Sequence, residues 1–193
     1  NSIKEFVRKN KNKITNNKDF KNILEANSNQ NLDWFFNELI YSRNKIDYKI
    51  TNAKKANDSI EVTIKNMGDA KVPVSIYGYN NNKLVSKNWV ENNTETFKFY
   101  VKNDSITKFV LNDNYEIPEI NNNNNSYKLK NRFLGNRKIR FTFFKDIENA
   151  KYNQVFYVPT AEFNLYDGLL LGIKFNNKSI IDKPFTYDIT PNL

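Results

Sequence analysis

Neither histidine nor cysteine occurs among the 193 residues, and their absence removes most of the chemistry that side chains perform. Without imidazole there is no Ser-His-Asp or Cys-His relay, no H-E-x-x-H zinc site and no proton shuttle working near neutral pH. Without thiol there is no disulfide framework, no cysteine-ligated zinc or iron–sulfur centre and no thiol redox pair. Carboxylates, amines, hydroxyls and rings remain. Glu61, Glu91, Glu95 and Asp113 could supply a carboxylate pair for glycosidase work, but nothing in their spacing brings two together. Asp167-Gly168 behind Asn164 could form a calcium-binding turn. Those two side chains fall short of the roughly six to eight oxygens calcium takes, and the same residues make a tight inter-strand turn. The expectation is a chain with no catalytic residue, no cofactor-binding residue and no metal ligand of its own.

The amines suggest a second chemistry. The formal charge is +9, from 30 basic and 21 acidic residues, which in outline is a nucleic-acid binder. The composition argues otherwise. Only Arg8, Arg43, Arg132, Arg137 and Arg140 are arginines, whereas Lys and Asn are enriched together with Ile, Phe and Tyr, as codon usage in an AT-rich genome produces. Nucleic-acid surfaces favour the planar fork of arginine. Residues 47–117 hold ten Lys against nine acids, so the middle of the chain is nearly neutral. The one concentrated patch is Lys128, Lys130, Arg132, Arg137, Lys138 and Arg140, with no acid between residues 120 and 145. Residues 128–140 are expected to form a solvated edge or to meet an anionic membrane surface, with no specific nucleic-acid partner. The rings offer a third chemistry. Tyr77, Tyr79, Trp89 and Tyr100 would make a carbohydrate platform if aligned on one open strand face; buried or scattered, they mark a spacer.

The elements that must position these groups are legible from periodicity. Residues 1–46 read as helices: Ile3, Phe6 and Val7 share a face, as do Phe20, Ile23 and Leu24 after a polar Thr15-Asn16-Asn17 start. Leu32, Phe35, Phe36, Leu39 and Ile40 fall at i, i+3, i+4, i+7 and i+8, which predicts a helix from Asn31 to about Tyr41. Its stripe is too wide for the two short helices to cover, so its partner is expected upstream, outside the chain. From Asp47 the period falls to two. Ile60, Val62 and Ile64 alternate with polar residues, and so do Phe97, Phe99 and Val101. Six or seven short strands over residues 47–117 suit an immunoglobulin-like β-sandwich, with Trp89 as its expected core anchor in the absence of a Cys pair. Residues 118–126, with five consecutive Asn, read as a linker or long loop. Alternation returns at Ile139–Phe143, Leu169–Phe175 and Phe185–Ile189, so residues 118–193 read as a linker and an antiparallel β-rich segment, the start of a barrel-like region. The fold class expected is therefore mainly β with an N-terminal helical segment. With Asn1-Ser2-Ile3 at one end and a strand-like run at the other, the chain is expected to be a piece of a longer polypeptide.

Two stretches carry a family resemblance. Asn31-Leu32-Asp33-Trp34-Phe35-Phe36-Asn37-Glu38-Leu39-Ile40-Tyr41, followed by Lys45-Ile46-Asp47-Tyr48, resembles the end of the helical part of zinc aminopeptidases of the aminopeptidase N and leukotriene-hydrolase type, where an aromatic helix precedes a D-Y entry into a β-sandwich. Thr15-x-x-x-Asp19-Phe20 is similar to the same family's helix start, while Leu39 stands where Trp is usual. The second stretch, Pro159-x-x-x-Phe163-Asn164-x-Tyr166-Asp167-Gly168, resembles the entry to the outer-membrane-like β-barrel of some large envelope metallopeptidases of Gram-negative bacteria.

The resemblance implies a non-catalytic C-terminal scaffold or spacer, attached to an upstream peptidase domain of the same polypeptide, in the periplasm or outer membrane of a bacterium. Zinc is implied for the parent only. The family's zinc ligands, general-base Glu, Gly-rich substrate loop and transition-state Tyr all precede the matched part, so no residue here inherits a role. The alternative expectation is a stand-alone envelope β-sandwich that binds a protein or carbohydrate.

Overall fold

Asn16 starts the better formed of two short helices, α1 (Ser2–Lys9) and α2 (Asn17–Ser28). Its side-chain oxygen accepts from the Lys18 and Asp19 N–H groups at 2.9 and 3.1 Å, and the Asp19 carboxylate accepts from the Asn16 N–H at 3.0 Å. This reciprocal box satisfies donors that a helix start otherwise leaves open. The structure, a computed structural model, describes residues 2–91, 94–102, 105–130, 135–166, 168–180 and 185–191. The helices meet through rings placed edge to face, Phe6 on Phe20 at 5.1 Å and Phe20 on Phe36 at 6.5 Å. Phe36 belongs to the third helical stretch, which is not the regular α-helix its spacing predicts. Phe35–Ile40 is π-wound, and the Tyr41 N–H reaches the Phe36 carbonyl, five residues back, at 2.8 Å. Phe36 is buried, and Trp34 and Leu39 pack on the core of the β-sandwich that follows. The stripe thus finds part of its cover downstream, within the chain.

Among the described residues the sandwich has seven strands: β1 (Tyr48–Ala56), β2 (Ser59–Asn66), β3 (Val74–Asn80), β4 (Lys83–Val90), β5 (Thr96–Val101), β6 (Lys108–Leu111) and β7 (Ser126–Lys128). One antiparallel sheet runs β1-β2-β5 and the other β4-β3-β6-β7, the order of an immunoglobulin-like sandwich. Between them lie Ile60, Val62, Ile64, Ile76, Phe109 and Leu111, all fully buried. The β3–β4 turn explains one use of the abundant asparagine. Asn80 pairs with Lys83, so Asn81 and Asn82 form a two-residue hairpin loop with φ of 47° and 72°. Such a turn needs positive φ at both positions, which Asn tolerates better than other side chains. Trp89 is not the core anchor. It lies opposite Ser75 on the outer face of edge strand β4 and is 50% exposed. The anchor is Tyr48, whose hydroxyl donates to the Val72 carbonyl at 2.9 Å and accepts from the Val72 N–H at 3.2 Å.

The seventh strand lies past residue 117, where the sequence pattern ends the sandwich, and the intervening loop is fastened into the core. Buried Glu119 accepts from the Tyr48 N–H (2.8 Å) and from the side-chain amides of Asn112 (2.9 Å) and Asn125 (2.6 Å). With no cation among those partners, burial holds its carboxyl above the ordinary range, although these hydrogen bonds pull the other way.

A third sheet runs β11-β10-β9-β8, from β8 (Lys138–Phe143), β9 (Tyr152–Asn164), β10 (Gly168–Asn176) and β11 (Asp188–Ile189). The pairs β9–β10 and β10–β11 are antiparallel, as expected. The β8–β9 pair is parallel, joined by a crossover through residues 144–151. Strand β9 lies outside the three alternating runs of the sequence and carries Pro159 in its interior. Proline is tolerated there because β8 pairs only as far as Tyr157, leaving β9 bordered by β10 alone. The sheet is open, and no closed barrel forms among the described residues.

Candidate functional site

The outer face of the β4-β3-β6-β7 sheet gathers the most polar side chains. Register places Lys87, Tyr77, Val110 and Ser126 in one row across the sheet, and Tyr79, Lys108 and Lys128 in the next. The segment after β6 turns back over this face, starting from Asn112 at a φ of 48°. It brings Asp113 and Glu116 onto the tyrosines.

Glu116 is the hub. It accepts from the hydroxyls of Tyr77 and Ser75 (2.8 Å for Ser75) and from Lys87 at 2.9 Å. Burial pushes its carboxyl up, but these three donors outweigh burial and hold it at about 2. A carboxylate held that low cannot exchange protons efficiently near neutrality, so it makes a poor general acid or base. The Lys87 ammonium lies over the Tyr77 ring at 5.1 Å and the Trp89 ring at 5.8 Å. Asp113 accepts from the Tyr79 hydroxyl and pairs with Lys151 at 3.0 Å. Burial first, then Asp113, push the Tyr79 phenol well above its ordinary range. Both acids thus clamp a loop to a sheet.

Beside this clamp the same face opens into a basic groove. Two adjoining hollows of about 340 and 430 Å³ share Asn82, Lys108, Lys128 and Lys138. Lys151 lines the first and Lys130 the second, so five lysines surround one concavity. Lys108 sits at its floor, half-buried. Burial pushes its amine down, and Lys128, Lys138 and Lys151 add to that against the opposing pull of Asp113.

The residues singled out in the sequence are distributed as follows. Glu61 lies on the other sheet, held by Tyr100 (2.8 Å), Lys98 (3.1 Å) and Lys54 (3.4 Å); Glu95 pairs with Lys65 at 3.1 Å. Glu91 follows β4 and is exposed. Asp113 meets Glu116 on one face instead of another of the expected carboxylates. Tyr77 is buried, Tyr79 stacks on it at 6.5 Å, and Tyr100 lies exposed on the opposite sheet, so the four rings make no single platform. Asp167 falls outside the described residues; Asn164 accepts from the Tyr166 N–H at 2.6 Å. Arg132 also falls outside them. Arg137 is engaged with Asn123 (2.6 Å) and the Ala150 carbonyl (3.3 Å), and Arg140 lies over the Tyr152 ring at 5.3 Å. Lys128, Lys130 and Lys138 of the sequence patch do converge. Lys108 and Lys151, which join them, were missed, since only strand pairing brings them near.

Among the described residues, no group of three or more Asp and Glu is placed to hold a metal ion, and no helix is long and apolar enough to cross a membrane. No protein-family model, curated protein or solved structure matches the chain.

Proposed function

We propose that this chain is a non-catalytic scaffold and spacer, in which an immunoglobulin-like sandwich joins a helical docking segment to an open β-sheet. Its proposed setting, a zinc metallopeptidase parent in a bacterial cell envelope with the peptidase domain upstream, rests on the sequence resemblance alone.

The observation that carries the scaffold reading is where apolar surface is left uncovered. The sandwich encloses its own core. On β8 to β10, by contrast, Ile139, Phe141, Phe143, Leu169, Leu171 and Ile173 share one face and are exposed, Phe141 and Leu169 by 63% and 62%. A continuous apolar face of this kind is normally covered by another layer, because a sheet must bury one face to be stable. The parallel β8–β9 pair departs from the antiparallel hairpins of membrane barrels, which favours protein over lipid as the cover. The low-lying Glu116 carboxyl and the paired Asp113 and Glu61 support a non-catalytic role.

Hydrogen exchange on the dilute chain tests the proposal. Amides of residues 169–176 should exchange much faster than those of residues 60–66 and 97–101. Equal protection in a monomer would overturn it, since the β8–β11 sheet would then be complete without a neighbour. The second reading, a binding module, is favoured by the lysine groove.

A further inference from the structure

We infer that the groove over β6 and β7 is a binding site for a phosphorylated sugar, its phosphate held by Lys108, Lys128 and Lys138 and its ring hydroxyls by Asn82 and Asn136. The inference goes beyond the scaffold reading and does not depend on it.

The first argument is a local cost that folding alone does not justify. Lys108 and Lys128 stand directly opposite each other across the β6–β7 ladder, where like charges are destabilising. Lys108 is half-buried, and among the described residues its ammonium makes no hydrogen bond or contact ion pair, Asp113 attracting it only from beyond contact distance. Lys138 and Lys151 add further positive charge to its surroundings. Asp113, the one acid lining the groove among the described residues, offsets part of this charge but is shared with Tyr79 and Lys151. A bound dianion would remove the repulsion that the chain itself leaves standing.

The second argument is shape and preorganisation. The hollows are of the size that small ligands occupy. Lys128 is already oriented, donating to the Gly135 carbonyl at 3.1 Å, and an ammonium keeps further donors for a phosphate oxygen. Asn136 is likewise positioned, its side-chain oxygen accepting from the Lys128 N–H at 3.1 Å while its amide group remains a donor. The side-chain amides of Asn81 and Asn82 supply the neutral donors and acceptors that hydroxyls require. A nucleotide base fits less well: the Tyr152 ring already carries Arg140 on one face, and Tyr79 is stacked on Tyr77.

The test is calorimetry on the full chain at about 150 mM salt with glucose 6-phosphate, glucose and inorganic phosphate, alongside flotation with phosphatidylcholine vesicles that do or do not contain phosphatidylinositol 4-phosphate. Glucose 6-phosphate should bind more tightly than either glucose or phosphate. The double variant K108M/K128M should weaken binding by about tenfold or more, the range expected when charge-assisted hydrogen bonds are lost. A control with the same charge loss on the opposite sheet, K49Q/K55Q, should leave it unchanged. K138Q, a substitution at an exposed position that leaves the core untouched, should weaken binding several-fold and covers the case of a poorly folding double variant. Lysine-dependent binding of the soluble sugar phosphate assigns a free ligand, and lysine-dependent binding to the phosphoinositide vesicles alone assigns a lipid headgroup; both uphold the site. Equal loss in the control, equal binding of glucose, or no binding in either arm overturns it.

Discussion

Replacing Glu116 by glutamine keeps the shape of the side chain and removes the charge that Tyr77, Ser75 and Lys87 converge on. The carboxyl is held at about 2 against an ordinary 4.5. By linkage this difference corresponds to at most about 3 kcal/mol in favour of the folded state at neutral pH. Lys87 is 40% exposed and Glu116 20%, so solvent screens part of the interaction, and about 1.5–2 kcal/mol is the expected loss in E116Q. The sign follows from a depressed folded-state value. The contribution is complete above about pH 4.5 and disappears as pH falls toward 2, with roughly three-quarters gone by about pH 2.5. Urea unfolding of wild type and E116Q at neutral pH and at about pH 2.5 gives both differences. The gap between the two proteins should close at the lower pH. Glu119 titrates in the opposite sense, since burial raises it, but it is common to both proteins and cancels. A gap of equal size at both pH values would show that Glu116 acts through packing alone, and the clamp would lose its electrostatic basis.

Tyr48→Phe removes the hydroxyl that serves both the Val72 carbonyl and N–H, and should cost about 2 kcal/mol in denaturant unfolding, because two buried backbone groups lose a partner. Trp89→Ala should cost about 1 kcal/mol or less despite the larger truncation, since the ring is half exposed on an edge strand; a larger loss than Tyr48→Phe would return Trp89 to the core. Glu119→Ala leaves the Tyr48 N–H and the amides of Asn112 and Asn125 without their acceptor, and about 3 kcal/mol should be lost, read as a lower midpoint with unchanged slope. Nucleic acid should be retarded weakly at about 50 mM salt and not at about 200 mM, as charge-driven contact requires; retention at the higher salt would contradict the expectation of no specific nucleic-acid partner.

What could be read from the sequence follows from which contacts are local. The strands of the sandwich were legible because one face of each is buried, so Ile60, Val62 and Ile64 must alternate with polar neighbours wherever their partners lie. The helix start at Asn16 was legible because its partner is Asp19, three residues on. Legibility stops where a property depends on what lies opposite. Size suggested Trp89 as the anchor, but its register against Ser75 turns it outward and gives that role to Tyr48. That β9 accommodates Pro159 could not be read either, because whether a strand tolerates proline depends on how far its neighbour extends. The same limit governs the candidate site. Glu116 reaches tyrosine, serine and lysine from 29 to 41 residues away, and no spacing in the chain announces it. Lys128 to Lys138 could be seen as a patch because they are close in sequence, whereas Lys108 joins them only through the β6–β7 ladder. That pairing fixes a run of surface charge in place: a lysine patch read along the chain can spread into solvent, but one assembled across a ladder cannot separate without breaking the sheet. The groove is therefore a property of the fold, and charge counting along the sequence measures only the part of it that happens to be contiguous.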